Sequence, residues 1–186
     1  MKSVRMLMAS ALLLMTHSVY AADAGALAQP CAACHGANGV SASPEWPNLA
    51  GQNKGYLASQ IRAFRDGTRK NPAMQPFVAN LSDADIDALA GHFAALPHTV
   101  SGGGDADLVA AGENYAGYCK ACHGMDGNPA ADEWPTLNGQ HASYLEKQLL
   151  YFKSGERDNG HMNAAVSQIG PEHFKALAAY YSRLSR

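Results

Sequence analysis

Residues 31–35 and 119–123 both spell CxxCH, and between them they hold every cysteine of the chain: Cys31 and Cys34, then Cys119 and Cys122. The likeness runs well past the pentapeptide. A step of 88 positions carries Gly36, Glu45, Trp46, Pro47, Leu49, Gly51 and Gln52 onto Gly124, Glu133, Trp134, Pro135, Leu137, Gly139 and Gln140. The same step carries Tyr56, Gln60, Phe64, Gly67, Arg69, Asn71 and Met74 onto Tyr144, Gln148, Phe152, Gly155, Arg157, Asn159 and Met162, without a gap. A domain-sized period that occurs only twice marks a tandem duplication rather than a solenoid. Whatever this chain folds into, it folds into it twice.

CxxCH places two thiols and a histidine within one helical turn. That is the attachment pattern of c-type haem, in which both sulfurs bond the porphyrin edge and the histidine ligates iron. Other uses of CxxC fit less well. A thioredoxin-like redox pair belongs in a βαβ unit, whereas the flanks here read as helix and loop. A zinc site built on one copy lacks a fourth ligand, and one built on both leaves two histidines redundant. A disulfide within each motif is the remaining alternative in an oxidising compartment. Two motifs imply two covalently bound haem c groups.

Lys2 and Arg5 precede an apolar run from Met6 to Met15, and Val19-Tyr20-Ala21 forms a small-residue cleavage site. Residues 1–21 therefore read as a secretory signal peptide, too short in its apolar core to span a bilayer. The mature chain begins near Ala22, and no later segment reads as an integral membrane span. Export agrees with the cysteine reading, because c-type haem is attached after translocation, and the expected compartment is the periplasm. Peripheral association with a membrane stays open. Cleavage leaves three methionines, Met74, Met125 and Met162.

Without Lys2 and Arg5 the chain carries 12 basic and 16 acidic residues, and no basic run or stripe. Nucleic acid is accordingly not an expected partner. Residues 22–99 hold 5 basic and 6 acidic side chains and residues 100–186 hold 7 and 10, so no strong dipole orients a partner.

The expected organisation is an N-terminal domain at 22–98, a linker at 99–104 and a C-terminal domain at 105–186. Each copy is about 80 residues, a size at which an apolar core alone is marginal. A buried cofactor would complete it. Thr99-Val100-Ser101-Gly102-Gly103-Gly104 reads as flexible, yet spans only about 20 Å when extended, so the domains stay close. Both copies read as all-α. Asp105 is positioned to cap a helix running to about Tyr118, while its counterpart from Ala24 to Gln29 is short. Leu57, Ile61 and Phe64, like Leu145, Leu149 and Phe152, line one helical face, and Gly67 and Gly155 end those helices. Ser82 and Asp85 make a capping box with Asp for Glu, and Pro171 takes the first-turn position of the matching helix.

His35 and His123 each supply one axial ligand. Met74 and Met162 stand 39 positions after them in both copies, in segments that read as loops. A lone methionine is ordinarily core filler. Two of three mature methionines in one shared register are better read as thioether ligands. No histidine repeats in this way: His161 faces Ala73, and His92, His98, His141 and His173 map onto Tyr180, Arg186, Asn53 and Asp85. These read as surface residues, and Met125 lies too near His123 to reach the opposite haem face.

CxxCH, then Pro47-Asn48-Leu49-Ala50-Gly51 or Pro135-Thr136-Leu137-Asn138-Gly139, then a distal Met resembles the class I c-type cytochromes. The doubled form is similar to the cytochrome c4 family, through Leu49-Ala50-Gly51-Gln52, Tyr56-Leu57-x-x-Gln60, Phe64-Arg65-x-Gly67 and Leu81-Ser82-Asp83-x-Asp85-Ile86. The resemblance covers nearly all of residues 24–186. It implies two tandem class I cytochrome c-like domains, each wrapped around one haem. It further implies that the carbonyls of Pro47 and Pro135 accept from Nδ1 of the axial histidines, and that Trp46, Trp134, Arg69 and Arg157 pack on haem or meet its propionates. Core packing is the equal alternative for the tryptophans. The shortened first helix departs from the pattern and puts its packing against the last helix of that copy in question.

Two six-coordinate haems point to an electron carrier rather than an enzyme. The resemblance implies a quinol-oxidising complex or periplasmic dehydrogenase as donor and a terminal oxidase as acceptor. The alternatives are an electron-accepting cytochrome subunit of a periplasmic dehydrogenase and a dihaem enzyme with one open haem site.

Overall fold

The computed structural model describes residues 23–185, and the leader at 1–21 lies outside them. Helices and loops make up the described chain, with no strand among the described residues. In the first half these are α1 (Ala24–Ala28), α2 (Ala32–His35), α3 (Lys54–Arg65), α4 (Gln75–Val78) and α5 (Asp83–Ala95). The second half repeats them as α6 (Val109–Tyr115), α7 (Gly117–His123), α8 (Ala142–Ser154), α9 (Gly160–Ser167) and α10 (Phe174–Arg183).

The apolar periodicity settles into two separate cores. Leu57 and Ala58 of α3 meet Ile86, Leu89, Ala90 and Phe93 of α5, with Ala28 of α1. Leu145 and Phe152 of α8 meet Phe174, Leu177, Ala178, Tyr180 and Tyr181 of α10, with Ala116 and Val166. Each fully buried Leu, Ile or Phe contributes roughly 1.5–3 kcal/mol of transfer free energy. Helix ends follow local chemistry. Ser82 Oγ accepts from the Asp85 N–H at 3.1 Å while Asp85 accepts from the Ser82 N–H at 3.0 Å, completing the capping box. Pro171 opens a 3-10 turn (Pro171–His173) that leads into α10. Gly155 ends α8 in the left-handed region at φ 80°.

The helix expected from Asp105 to Tyr118 is interrupted. Asp105 caps a 3-10 turn at Ala106–Leu108, and α6 stops at Tyr115. The Ala116 N–H bonds the Glu113 carbonyl, three residues back, so the ladder tightens before α7 begins. The short α1 does pack against α5 through Ala28. The corresponding contact of α6 with α10 is tighter: a Cβ on Gly112 would collide with the Ala176 carbonyl.

The two halves meet through reciprocal hydrogen bonds. Gln52 donates to the Thr136 carbonyl at 2.9 Å and accepts from the Thr136 N–H at 2.8 Å. Gln140, its repeat partner, does the same with Asn48 at 2.9 and 2.8 Å. Equivalent positions of the two halves thus form a self-complementary surface about a pseudo-twofold axis, as in an isologous dimer. The segment joining them is not free, despite its glycines. The Ser101 N–H bonds the Gly139 carbonyl at 2.9 Å, Ser101 Oγ accepts from Asn48, and Arg183 donates to the Gly104 carbonyl. Composition signals flexibility of an isolated segment, but hydrogen bonds from both halves hold this one.

Candidate functional site

Helix α2 and the end of α7 carry the two motifs. Helical spacing puts the first cysteine, the second cysteine and the histidine of each on one face, three and four residues apart. Gly36 (φ 77°) and Gly124 (φ 81°) end both turns in a conformation open to glycine, with their α-carbons against the backbone of Val40 and Asn128. The chain then doubles back and brings Pro47 and Pro135 over the histidines.

His35 and His123 are 5 % and 7 % exposed. Nδ1 of His35 lies 2.9 Å from the Pro47 carbonyl oxygen, and Nδ1 of His123 lies 3.2 Å from that of Pro135. A carbonyl can only accept, so Nδ1 carries the proton and Nε2 keeps its lone pair. Burial lowers both imidazole pKa values and outweighs the opposing carbonyl bonds, which keeps the rings neutral. Each ring is held in a fixed orientation with Nε2 free to act as a donor atom.

A single continuous cavity of about 680 Å³ runs through both halves, and both rings line it. Its walls also carry Cys31, Cys119, Cys122, Met74 and Met162. The four cysteines form no disulfide, and the described residues hold no His/Cys/Asp/Glu cluster suited to a metal ion by itself. Unpaired thiols, buried neutral imidazoles and thioethers around an apolar cavity match the donor set of covalent haem, so the residues present fit that group. Met74 precedes α4 in a turn. Met162, expected in a loop, lies within α9, which Asn159 caps by accepting from the Met162 N–H at 3.1 Å. The short polar run Asp158-Asn159-Gly160 hid that helix from a periodicity reading.

Trp46 and Trp134 form part of the cavity wall, with the Trp134 ring 6.4 Å from that of His123. Arg69 and Arg157 line it where the halves meet. Arg69 donates to Gln60 at 2.7 Å within its own half, and to Gln148 at 2.8 Å and Tyr144 at 3.2 Å across the interface. Arg157 mirrors this with Gln148 at 2.8 Å, Gln60 at 2.7 Å and Tyr56 at 3.0 Å. Each guanidinium also lies over a phenylalanine of its own half, Phe64 at 4.4 Å and Phe152 at 4.5 Å. Burial alone pushes the Tyr56 phenol up, but the Arg157 and Arg69 charges outweigh it and hold it below its ordinary value.

Sequence reasoning marked the two arginines but missed their partners. Tyr56, Gln60, Tyr144 and Gln148 all recur at the 88-residue step, and that recurrence of polar residues beside apolar helix positions was the available signal. The non-recurring histidines are not simply surface residues. His141 is 8 % exposed and its Nε2 lies 3.1 Å from the Ser41 carbonyl, while His98 Nε2 lies 3.0 Å from that of Asn138. Both sit at the contact between halves, which a single-domain reading could not anticipate. His161 is exposed, and the His173 ring stacks on Tyr115 at 3.9 Å.

Residues 21–92 match the family model described as "Cytochrome C oxidase, cbb3-type, subunit III", and residues 109–185 match the one described as "Cytochrome c". Over 91 % of its length, and 92 % of the relative's, the chain is 36 % identical to cytochrome c4 of Pseudomonas aeruginosa. It belongs to the cytochrome c4 family. The crystal structure of reduced recombinant cytochrome c4 from Pseudomonas stutzeri superposes with a TM-score of 0.82 at 31 % identity, covering 89 % of this chain and 98 % of that one. A protein of Stutzerimonas stutzeri named thiosulfate dehydrogenase electron acceptor is 35 % identical, with 100 % of this chain and 98 % of the relative covered. As a cytochrome c4, the chain comprises two cytochrome c domains, carries two covalently bound haem c groups and is an electron-transfer protein. No helix among the described residues is long and apolar enough to cross a membrane.

Proposed function

We propose that the protein is a periplasmic electron carrier in which His35 and Met74 ligate one iron and His123 and Met162 the other, with Cys31, Cys34, Cys119 and Cys122 as the thioether anchors. The observation that carries this reading is the pairing, in each half, of a buried neutral histidine with a methionine on the walls of one cavity. Haem, when bound, supplies an iron that gains and loses a single electron reversibly.

The chain's own residues set the conditions for that exchange. Pro47 and Pro135 hold the proton on Nδ1, fix each ring and leave Nε2 basic. Met74 and Met162 offer soft donors that favour the ferrous state and raise the potential relative to a second imidazole. Leu57, Phe64, Leu145 and Phe152 keep water off the cavity wall. Arg69 and Arg157 join the halves on the wall of that cavity, and Trp46 and Trp134 pack along it. With His35 and Met74 holding one iron and His123 and Met162 the other, no open position would remain for a substrate, which is the ground for reading a carrier rather than an enzyme. Residues 22–98 and 105–186 are the two domains, with 99–104 between them, and the leader at 1–21 directs export.

The donor is a quinol-oxidising complex or a periplasmic dehydrogenase, and the acceptor a terminal oxidase. A second reading, a dedicated electron-accepting partner of a dehydrogenase, is favoured by likeness to thiosulfate dehydrogenase electron acceptors and to a thiosulfate dehydrogenase structure from Marichromatium purpuratum. That structure aligns at 33 % identity and TM-score 0.77, covering 83 % of this chain and 36 % of the other. Co-purification at native expression separates the two readings. Carbon monoxide tests the closed sites: the reduced holoprotein at neutral pH binds none rapidly, and stoichiometric uptake would sink the pure-carrier reading.

A further inference from the structure

The two domains differ by a hydroxyl at a buried position on the cavity wall. Phe93 in α5 and Tyr181 in α10 occupy the same place in the repeat. Their rings are seated alike. A Cβ on Gly39 would lie 3.1 Å from Phe93 Cδ1, and one on Gly127 would lie 3.0 Å from Tyr181 Cδ1. Their carbonyls each accept from the equivalent N–H, of Gly51 and of Gly139, at 3.0 Å. Phe93 is 3 % exposed and Tyr181 4 %, and both line the cavity. What separates them is one hydroxyl.

That hydroxyl is buried and has no hydrogen-bond partner. Buried tyrosine hydroxyls ordinarily find one, so an orphan on this cavity wall points to a bond made when the anchoring groups take their bound positions. Its neighbour is the Cys119 side chain. Burial pushes the phenol far above its ordinary value, so it stays protonated and can donate.

We propose that Tyr181 sets the potential of the C-terminal haem by donating a hydrogen bond to the thioether sulfur of Cys119, an interaction the N-terminal domain lacks because Phe93 stands there. This rests on the reading of Cys119 and Cys122 as haem anchors. The Tyr181 ring is already fixed by packing, so little side-chain entropy is lost in forming the bond. A thioether is a weak acceptor, but a hydrogen bond to sulfur draws electron density from the macrocycle and favours the reduced state. The sign follows: the hydroxyl raises the C-terminal potential. One such bond shifts the sharing of a single electron between the two sites by about three- to tenfold.

The test uses full-length holoprotein and two substitutions, Tyr181→Phe and Phe93→Tyr. Mass measurement first counts the haems; a wild-type mass short of two overturns the anchor reading, and this inference with it. Redox titration followed optically then resolves two midpoints. Tyr181→Phe should lower one midpoint and leave the other in place, displacing the electron-sharing ratio about three- to tenfold toward the N-terminal site. Met162→His in the same chain identifies the midpoint that moves as the C-terminal one. Phe93→Tyr should raise the other midpoint. With both haems attached, unchanged midpoints in Tyr181→Phe overturn the proposal. So does an equal shift of both, which would report only a general loosening of packing.

Discussion

Arg157 donates to the hydroxyl of Tyr56 at 3.0 Å, a contact between residues 101 positions apart in the chain. Arg69 returns the bond to Tyr144 at 3.2 Å, and each arginine also holds a glutamine of the opposite half. Two copies of one polar pattern have become a clasp on the wall of a shared cavity. A guanidinium can serve several acceptors in a fixed plane, which an ammonium cannot.

Arg157→Lys should therefore behave as a damaging substitution. Loss of charged hydrogen bonds predicts a destabilisation of about 1.5–3 kcal/mol, read from chemical denaturation of the holoprotein. Combined with Tyr56→Phe, the loss should fall short of the sum of the two single losses by more than about 0.5 kcal/mol. Strict additivity would show that the pair does not interact in solution.

Met74→His and Met162→His should each lower one haem midpoint and spare the other, because imidazole favours ferric iron relative to a thioether. An optical redox titration decides the matter for each methionine separately. A substitution that leaves both midpoints where they were removes that methionine from the ligand set.

Gly112 and Gly117 make a matched pair of glycines. A Cβ at Gly112 meets the Ala176 carbonyl and Tyr180, so Gly112→Ala should cost about 1–3 kcal/mol by forcing α6 away from α10. Nothing lies within 4 Å of a Cβ at Gly117. Gly117→Ala should be neutral or stabilise by up to about 1 kcal/mol, since alanine is the better helix former. Denaturation midpoints of the two variants should move in different directions.

Replacing all four cysteines by alanine removes covalent attachment and leaves the cavity without its filling. With about 680 Å³ open between two small cores, that chain should keep helical far-ultraviolet dichroism but lose its near-ultraviolet signal and bind hydrophobic dye. A cooperative thermal transition like that of the holoprotein would show that the apolar clusters suffice alone.

Much of this was readable in the residues. The 88-residue step, the CxxCH pairs, the Ser82 capping box and the core faces at Ile86, Leu89 and Phe93 are all local or periodic signals. They survive because a helix cap or an apolar stripe is written within a dozen residues. The break at Ala116 was not readable, since alanine is an excellent helix former and nothing in the local sequence marks the tightened turn there. Nor was the burial of His141. Nothing near it in sequence indicates a partner, because that partner is the Ser41 carbonyl of the other domain.

The sequence by itself determined that one helical unit occurs twice, that each unit anchors a haem through its cysteines, and that a histidine and a methionine stand in the same register in both. Those properties are covalent or periodic, and the order of residues states them outright. Tertiary structure alone decided how the two units face each other. The reciprocal Gln52–Thr136 and Gln140–Asn48 bonds, the arginine clasp and the strapped segment at 99–104 together join two cofactor pockets into one cavity. The glutamine and arginine contacts pair residues on opposite domains, and in each the donor meets its acceptor only where the two domains come together.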